Sequence, residues 1–308
     1  MAFKIGRTSD IRKSGNFHLK TLIYGVPKVG KTRLAKTVKL LNGDDSRLLY
    51  VGVDPGQLSI ADRDFSTIPA VGEEIEWGED TLNAIYDQVK ASASDYDMIY
   101  VDGLDEIGDK LLRQYKLGTR DGRMAYGQLG DFASDWVKRM RDIPSTSIVF
   151  VTHMDQTQDD RGALIYKPAF PGNSIKNQLQ AWFDLIGCMR FVPDANGDMM
   201  EMIQFSSRVD PRYESGDRSG LLDPFEKPDL GAIFSKIQAG GVGLVQQINP
   251  YAKVNADDLK AFGLWLKANQ LDGQRAKDEA KLTFNREIQD LNNEQLAAIK
   301  ISMQDSRK

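Results

Sequence analysis

The chain has 308 residues, 41% hydrophobic and 27% charged, which is ordinary for a soluble globular protein. That length suits one large α/β domain with an appendage, or two modest domains. One cysteine, Cys188, and two histidines, His18 and His153, exclude an internal disulfide framework and a zinc constellation, and the net charge of −4 means that nucleic-acid binding needs a local basic patch.

Residues 1–19 are polar and basic, with Lys4, Arg7, Arg12 and Lys13 against Asp10, and read as an arm or as a solvated tail. Thr21 to Tyr24 is an apolar run expected to be a buried strand. It leads into Gly25-Val26-Pro27-Lys28-Val29-Gly30-Lys31-Thr32, the spacing G-x-x-x-x-G-K-T. Leu34, Val38 and Leu41 then recur at helical spacing up to Asn42-Gly43, a helix stop. Strand, loop and helix in that order make the motif a phosphate site rather than a chance glycine-rich turn. Gly25 and Gly30 let the backbone curl so that its N–H groups face phosphate oxygens, and the helix start adds its positive end. Lys31 reaches the β- and γ-phosphates, and the Thr32 hydroxyl ligates Mg²⁺. Candidate nucleotide contacts are therefore Gly25, Val26, Pro27, Lys28, Val29, Gly30, Lys31, Thr32 and Arg33, with ATP and Mg²⁺ as the implied cofactors.

Leu48 to Val53 reads as a second buried strand, ending in Asp54-Pro55-Gly56. In open parallel sheets ligands sit at the carboxyl ends of strands, which would bring Asp54 close to the γ-phosphate. A helix is expected over 76–91. Asp97 to Asp102 is an apolar strand ending in an acid, and Asp102 is the expected magnesium carboxylate opposite Thr32. Residues 103–145 read as mostly helical. Lys110, Arg113, Lys116, Arg120 and Arg123 stand there among Tyr115 and Tyr126, with Gly118, Gly122 and Gly127 breaking the helix into a mobile segment. Cations that track phosphates beside rings that stack bases suit single-stranded nucleic acid; the plainer reading is a solvated cationic face.

Ser147 to Thr152 is a third very apolar strand, ending at His153, which is either a nucleotide sensor or a structural histidine. A long loop is expected over 155–177, carrying Arg161, Lys167 and Lys176 as further DNA candidates. A helix through Trp182, a strand over 184–191, a hairpin turn at Asp194–Asp198 and a strand over 200–205 follow. Arg208, Arg212 and Arg218 occupy a turn-rich stretch; each is a surface arginine or one presented to a neighbouring subunit's γ-phosphate. Asp229 starts a short helix, Gly240-Gly241-Val242-Gly243 punctuates the chain, and helices alone are expected from Val254 on.

Hydrolysis needs a carboxylate that orients water. The place directly after the magnesium acid is Gly103, so the acid falls to Asp54 on the neighbouring strand, with Asp105 and Glu106 as second choices. This favours a RecA-like α/β core. The chain also resembles the phage nucleotide-binding proteins with a RecA/RadA-like AAA-type ATPase domain, the Sak-type single-strand annealing ATPases. The resemblance covers about residues 18–237. It rests on Tyr24–Thr32, Val101-Asp102-Gly103-Leu104, Thr152-His153, Gly216-Asp217-Arg218-Ser219-Gly220-Leu221-Leu222-Asp223 and Phe225-Glu226-Lys227-Pro228-Asp229-Leu230.

The resemblance implies a mostly parallel central sheet flanked by helices, ATP and Mg²⁺ binding, and rings or filaments on single-stranded DNA during recombination or annealing. Its catalytic positions fall on Lys31, Asp54, His153 and Arg218, and its metal positions on Thr32 and Asp102. Two departures stand out: relatives usually carry Glu where this chain has Asp54, and often Lys where it has Gly216. The expected layout is an arm over 1–19, an ATPase core over 20–243 and a helical region over 244–308. The expected partners are single-stranded DNA, further copies of the chain and, through the C-terminal helices, a single-strand-binding protein. Without a signal peptide or bilayer-length apolar run, the expected location is cytoplasmic, in the host cell for a phage protein. Two rivals are a nucleotide-dependent switch or assembly ATPase that binds a protein partner, and a small-molecule kinase, for which no arginine-rich lid is evident.

Overall fold

The computed structural model describes residues 18–53, 56–159, 162–194, 196–239, 256–269, 271–284, 287–291, 295–296, 299–300 and 303. The readings of the arm over 1–17, of Asp54, of Arg161 and of Gly240–Gly243 lie outside the described residues.

Three apolar runs become buried strands: β1 (Lys20–Gly25), in which all but Lys20 are buried, β2 (Leu48–Gly52) and β4 (Met98–Asp102), with β3 (Ser66–Ile68) at the edge. Near-continuous Val, Ile and Leu is what a strand covered on both faces requires. β5 (Ser147–Gln158), β6 (Leu164–Pro168), β7 (Leu185–Pro193), β8 (Met199–Gln204), β9 (Gly216–Asp217) and β10 (Phe225–Glu226) complete the sheet. Its order is β10-β8-β7-β1-β5-β4-β2-β3, with β6 on β5 and β9 on β7. From β7 to β3 all pairings are parallel, and the β8, β9 and β10 pairings are antiparallel.

Alternate residues feed two cores. Leu22, Tyr24, Val101 and Phe150 face α1 (Glu79–Ser92), α2 (Leu104–Gly118), α3 (Gly122–Arg141) and α4 (Asn173–Trp182). Ile23, Tyr50, Tyr100 and Val151 face Leu34 and α5 (Leu230–Gln238), whose Asp229 cap accepts from the Ala232 N–H. α6 (Ala256–Ala268) and α7 (Gly273–Phe284) share an apolar cluster of their own around Phe262, Leu266, Ala276 and Ala280. Among the described residues no helix is long and apolar enough to cross a membrane.

Three expectations need correction. The helix after the phosphate loop is a 3-10 segment of six residues, Thr32–Thr37, and Val38 is extended. The Thr37 hydroxyl donates back to the Leu34 carbonyl and accepts from the Leu230 N–H, and a Cβ at Gly231 would lie 2.7 Å from the Thr37 carbonyl oxygen. The start of α5 thus occupies the space a longer helix would fill. Such a short segment carries little of the dipole assumed for it. Second, 155–177 is no open loop: β5 runs on to Gln158 and pairs antiparallel with β6. Third, Gly127 lies inside α3, and only Gly118 and Gly122 mark a helix boundary.

Candidate nucleotide site

The strand order puts β5 between β1 and β4, so the carboxyl ends of three parallel strands meet. Gly25 lies level with His153, and Asp102 level with Val151 and Gly52. Gly25 is obligatory because a Cβ there would press into the Met189 carbonyl of β7; Gly30 is obligatory because its φ is +98°. Lys31 is buried, and its ammonium donates to the Gly25 and Val26 carbonyls at 2.9 Å each. Val29 anchors the loop in the core, while Val26, Pro27 and Lys28 form an exposed lip.

Two tyrosines support this loop from below. Their rings stack with centroids 6.1 Å apart. The Tyr100 hydroxyl donates to the Lys31 carbonyl at 2.6 Å, and the Tyr50 hydroxyl to Asp102 Oδ2 at 2.9 Å. Burial, then the Asp102 charge, pushes the Tyr100 phenol well above its usual value, so it stays a donor. Thr32 Oγ1 donates to the same Asp102 oxygen at 2.6 Å. The described residues hold no cluster of three acids, histidines or cysteines able to bind a metal alone. Mg²⁺ asks for less: one or two protein oxygens beside water and phosphate. The adjacent Thr32 hydroxyl and Asp102 carboxylate fit that donor set.

His153 Nδ1 lies 2.7 Å from Asp105 Oδ2, and the His153 backbone N–H donates to Oδ1 at 3.4 Å. Burial pushes the Asp105 carboxyl up, but the His153 hydrogen bond and charge outweigh it and hold it below the usual carboxylate range. Lys28, Lys31, Thr32, Asp102, Asp105 and His153 line one cavity of about 530 Å³, together with Arg33 and Glu201, which form an ion pair. Tyr50, Tyr100 and Glu201 escaped the sequence reading. A tyrosine amid valine and isoleucine signals a hydroxyl in need of a partner, but no local pattern names that partner.

Asp54 lies outside the described residues; its neighbour Val53 donates to the Asp102 carbonyl at 3.0 Å, and Gly56 lines the cavity. Arg218 is not brought to the cavity of its own chain. It sits by β9, at the amino end of β7, donates to the Ala181 carbonyl at 2.6 Å and faces Asp184. Arg208 is exposed and Arg212 is paired with Asp210.

The DNA candidates divide. Arg113, Lys116, Arg120 and Arg123 are exposed around the α2–α3 junction, with the Lys116 ammonium 5.3 Å from the Tyr126 ring centre; Lys110 is half-buried. Lys167 pairs with Glu214 at 3.0 Å and Lys176 with Asp155, so carboxylates already neutralise both. Arg161 lies outside the described residues.

Among known proteins, no curated sequence matches the chain. The profile of the AAA domain family matches residues 18–219, from the residues before β1 to just beyond β9. With a match over most of its length, the chain belongs to the AAA domain family of P-loop nucleotide-dependent ATPases.

Proposed function

We propose that this AAA protein hydrolyses ATP with Mg²⁺ as a RecA-like oligomer on single-stranded DNA, in phage recombination or annealing. The observation that carries the DNA part is helix α2. It begins in the cavity, where Asp105 meets His153, and ends among Arg113, Lys116 and the exposed Leu117. Fifteen residues span roughly 22 Å, so one rigid element joins the nucleotide to the basic surface.

In this reading Lys31 exchanges its loop carbonyls for the β- and γ-phosphates. Thr32 and Asp102 hold Mg²⁺, which when bound neutralises charge on the phosphates. Asp54 orients the attacking water and takes its proton, with Asp105 as the rival for that role. His153 senses the γ-phosphate and passes its state through Asp105 to α2. Arg218, remote from its own cavity, serves a neighbouring subunit.

The test is the ATPase rate with and without single-stranded DNA at two salt concentrations. Stimulation by DNA that fades as salt rises is expected, because phosphate contacts release counterions. An unstimulated rate with no salt-sensitive DNA binding refutes the proposal. The alternative, a nucleotide switch that binds a protein, draws on Leu264 and Leu282, which are 61% and 84% exposed on α6 and α7. It predicts that Leu264→Asp with Leu282→Asp abolishes partner capture by the full chain.

A further inference from the structure

The β7–β8 hairpin leaves an apolar face bare beside the phosphate loop. Phe191 is 44% exposed and Met199 63%, whereas Val192 and Met202 on the opposite face are buried against Phe225. Phe191 pairs directly with Glu201, and Pro193 with Met199. Directly opposed residues share a sheet face, with Cβ atoms about 5 Å apart; residues two apart on a strand share it too. Met189, Phe191, Pro193, Met199 and Glu201 therefore form one continuous strip. Its inner end touches the loop: a Cβ on Gly30 would meet both the Met189 methyl and the Arg33 guanidinium at 3.2 Å. Its acid, Glu201, lines the cavity and holds Arg33, the residue that follows Thr32.

We infer that this strip, which adjoins the ATP cavity through Glu201, is its nucleoside subsite, with Glu201 accepting from the ribose 2′-hydroxyl and the Phe191 ring stacking the base; the inference rests on the nucleotide reading above. The direction follows from the sheet. Thr32–Asp102 and Asp105–His153 lie on the β4–β5 side of β1, and Glu201 lies on the other side, beyond β7. A triphosphate with its metal-bearing end at Asp102 thus points its sugar toward β8. A carboxylate accepts only, and a ribose offers hydroxyl donors one step past the α-phosphate. Glu201 keeps Arg33 on one oxygen and has the other for the sugar. An exposed aromatic next to it suits any base, since every base has a π-face to stack.

The experiment is calorimetric titration of the full chain with ATP, 2′-dATP and inorganic tripolyphosphate, each with Mg²⁺. The wild type is expected to prefer ATP over dATP by roughly tenfold, the scale of one hydrogen bond to a charged group. Glu201→Gln brings that ratio close to one. The ratio is insensitive to the release of Arg33, because both ligands carry the same phosphates. Phe191→Ala narrows the preference for ATP over tripolyphosphate by about tenfold, and Phe191→Tyr restores it. Unchanged ratios in both Glu201→Gln and Phe191→Ala overturn the subsite. Equal wild-type affinity for ATP and tripolyphosphate also overturns it, while leaving the phosphate site standing. A wild type that binds none of the three ligands fails the nucleotide reading itself, and the subsite with it.

Discussion

The sheet carries a cavity at each end, and the two are nearly equal in size, about 530 and 550 Å³. At the carboxyl end the walls are a glycine loop, an ammonium on loop carbonyls, a hydroxyl on a carboxylate and a histidine on another. At the amino end the walls include Val38, Leu40, Leu41, Met98 and Phe234, and the acid there, Asp97, is already held by Arg47 at 2.7 Å and by the Leu41 N–H. Nearby, the Lys20 ammonium donates to the Ile143 and Thr146 carbonyls. Volume therefore does not identify a site. What differs is whether charged groups are consumed in tying segments together or converge on space a phosphate can enter. Parallel strands favour the second arrangement at their carboxyl ends, where loops turn into helices.

Substitutions at the two ends should separate activity from stability. The largest effect belongs to Lys31→Ala, which removes the ammonium from the loop. Phosphate release should fall by about 10³-fold or more, since such donors act chiefly on the transition state. Unaltered turnover would move the site elsewhere. Next, Asp54→Asn should slow hydrolysis by about 10²–10⁴-fold while ATP still binds. Asp105→Asn should cost less, because its carboxylate positions His153. Single-turnover rates in the reverse order would make Asp105 the acid that activates water.

Gly25→Ala tests the carboxyl end through packing. Its Cβ meets the Met189 carbonyl, and overpacking of this kind should lower unfolding free energy by about 1–3 kcal/mol in denaturant titrations. At the amino end, Lys20 supplies a pH signature. Burial depresses its ammonium to about 8 despite the Asp184 charge. Between pH 8 and the unfolded value of about 10.4, the unfolded chain holds a proton that the folded chain has released. The contribution of Lys20 to stability should therefore rise with pH across that window and be flat below it. Lys20→Met should lack the rise. The smallest effect on stability is expected for Arg218→Ala, an exposed pair worth about 0–1 kcal/mol in thermal melts.

Part of this architecture is plain in the residues and part is not. The runs before Gly25, Asp102 and His153 could only be buried strands, and the hairpin turn at Asp194 shows in its own side chain, which accepts from the Asn196 and Asp198 N–H groups. The outer half of β5 was unreadable because Asp155, Gln156, Thr157 and Gln158 are polar on both faces: the strand is held there by β6 and not by a core. The helical spacing of Leu34, Val38 and Leu41 was real but overruled by α5 packing on Thr37.

The sequence by itself determined the phosphate-loop motif, because Gly25, Gly30, Lys31 and Thr32 stand within one loop whose spacing needs only local geometry. It likewise determined that β4 ends in an acid, Asp102. Only the tertiary structure decided that Tyr50 and Tyr100 brace the loop, that Asp105 belongs to His153, that Glu201 reaches Arg33 and that Arg218 lies at the wrong end for its own cavity. Each of those pairings joins residues dozens of positions apart. Their partners are set by strand order and register, which no neighbouring stretch of chain encodes.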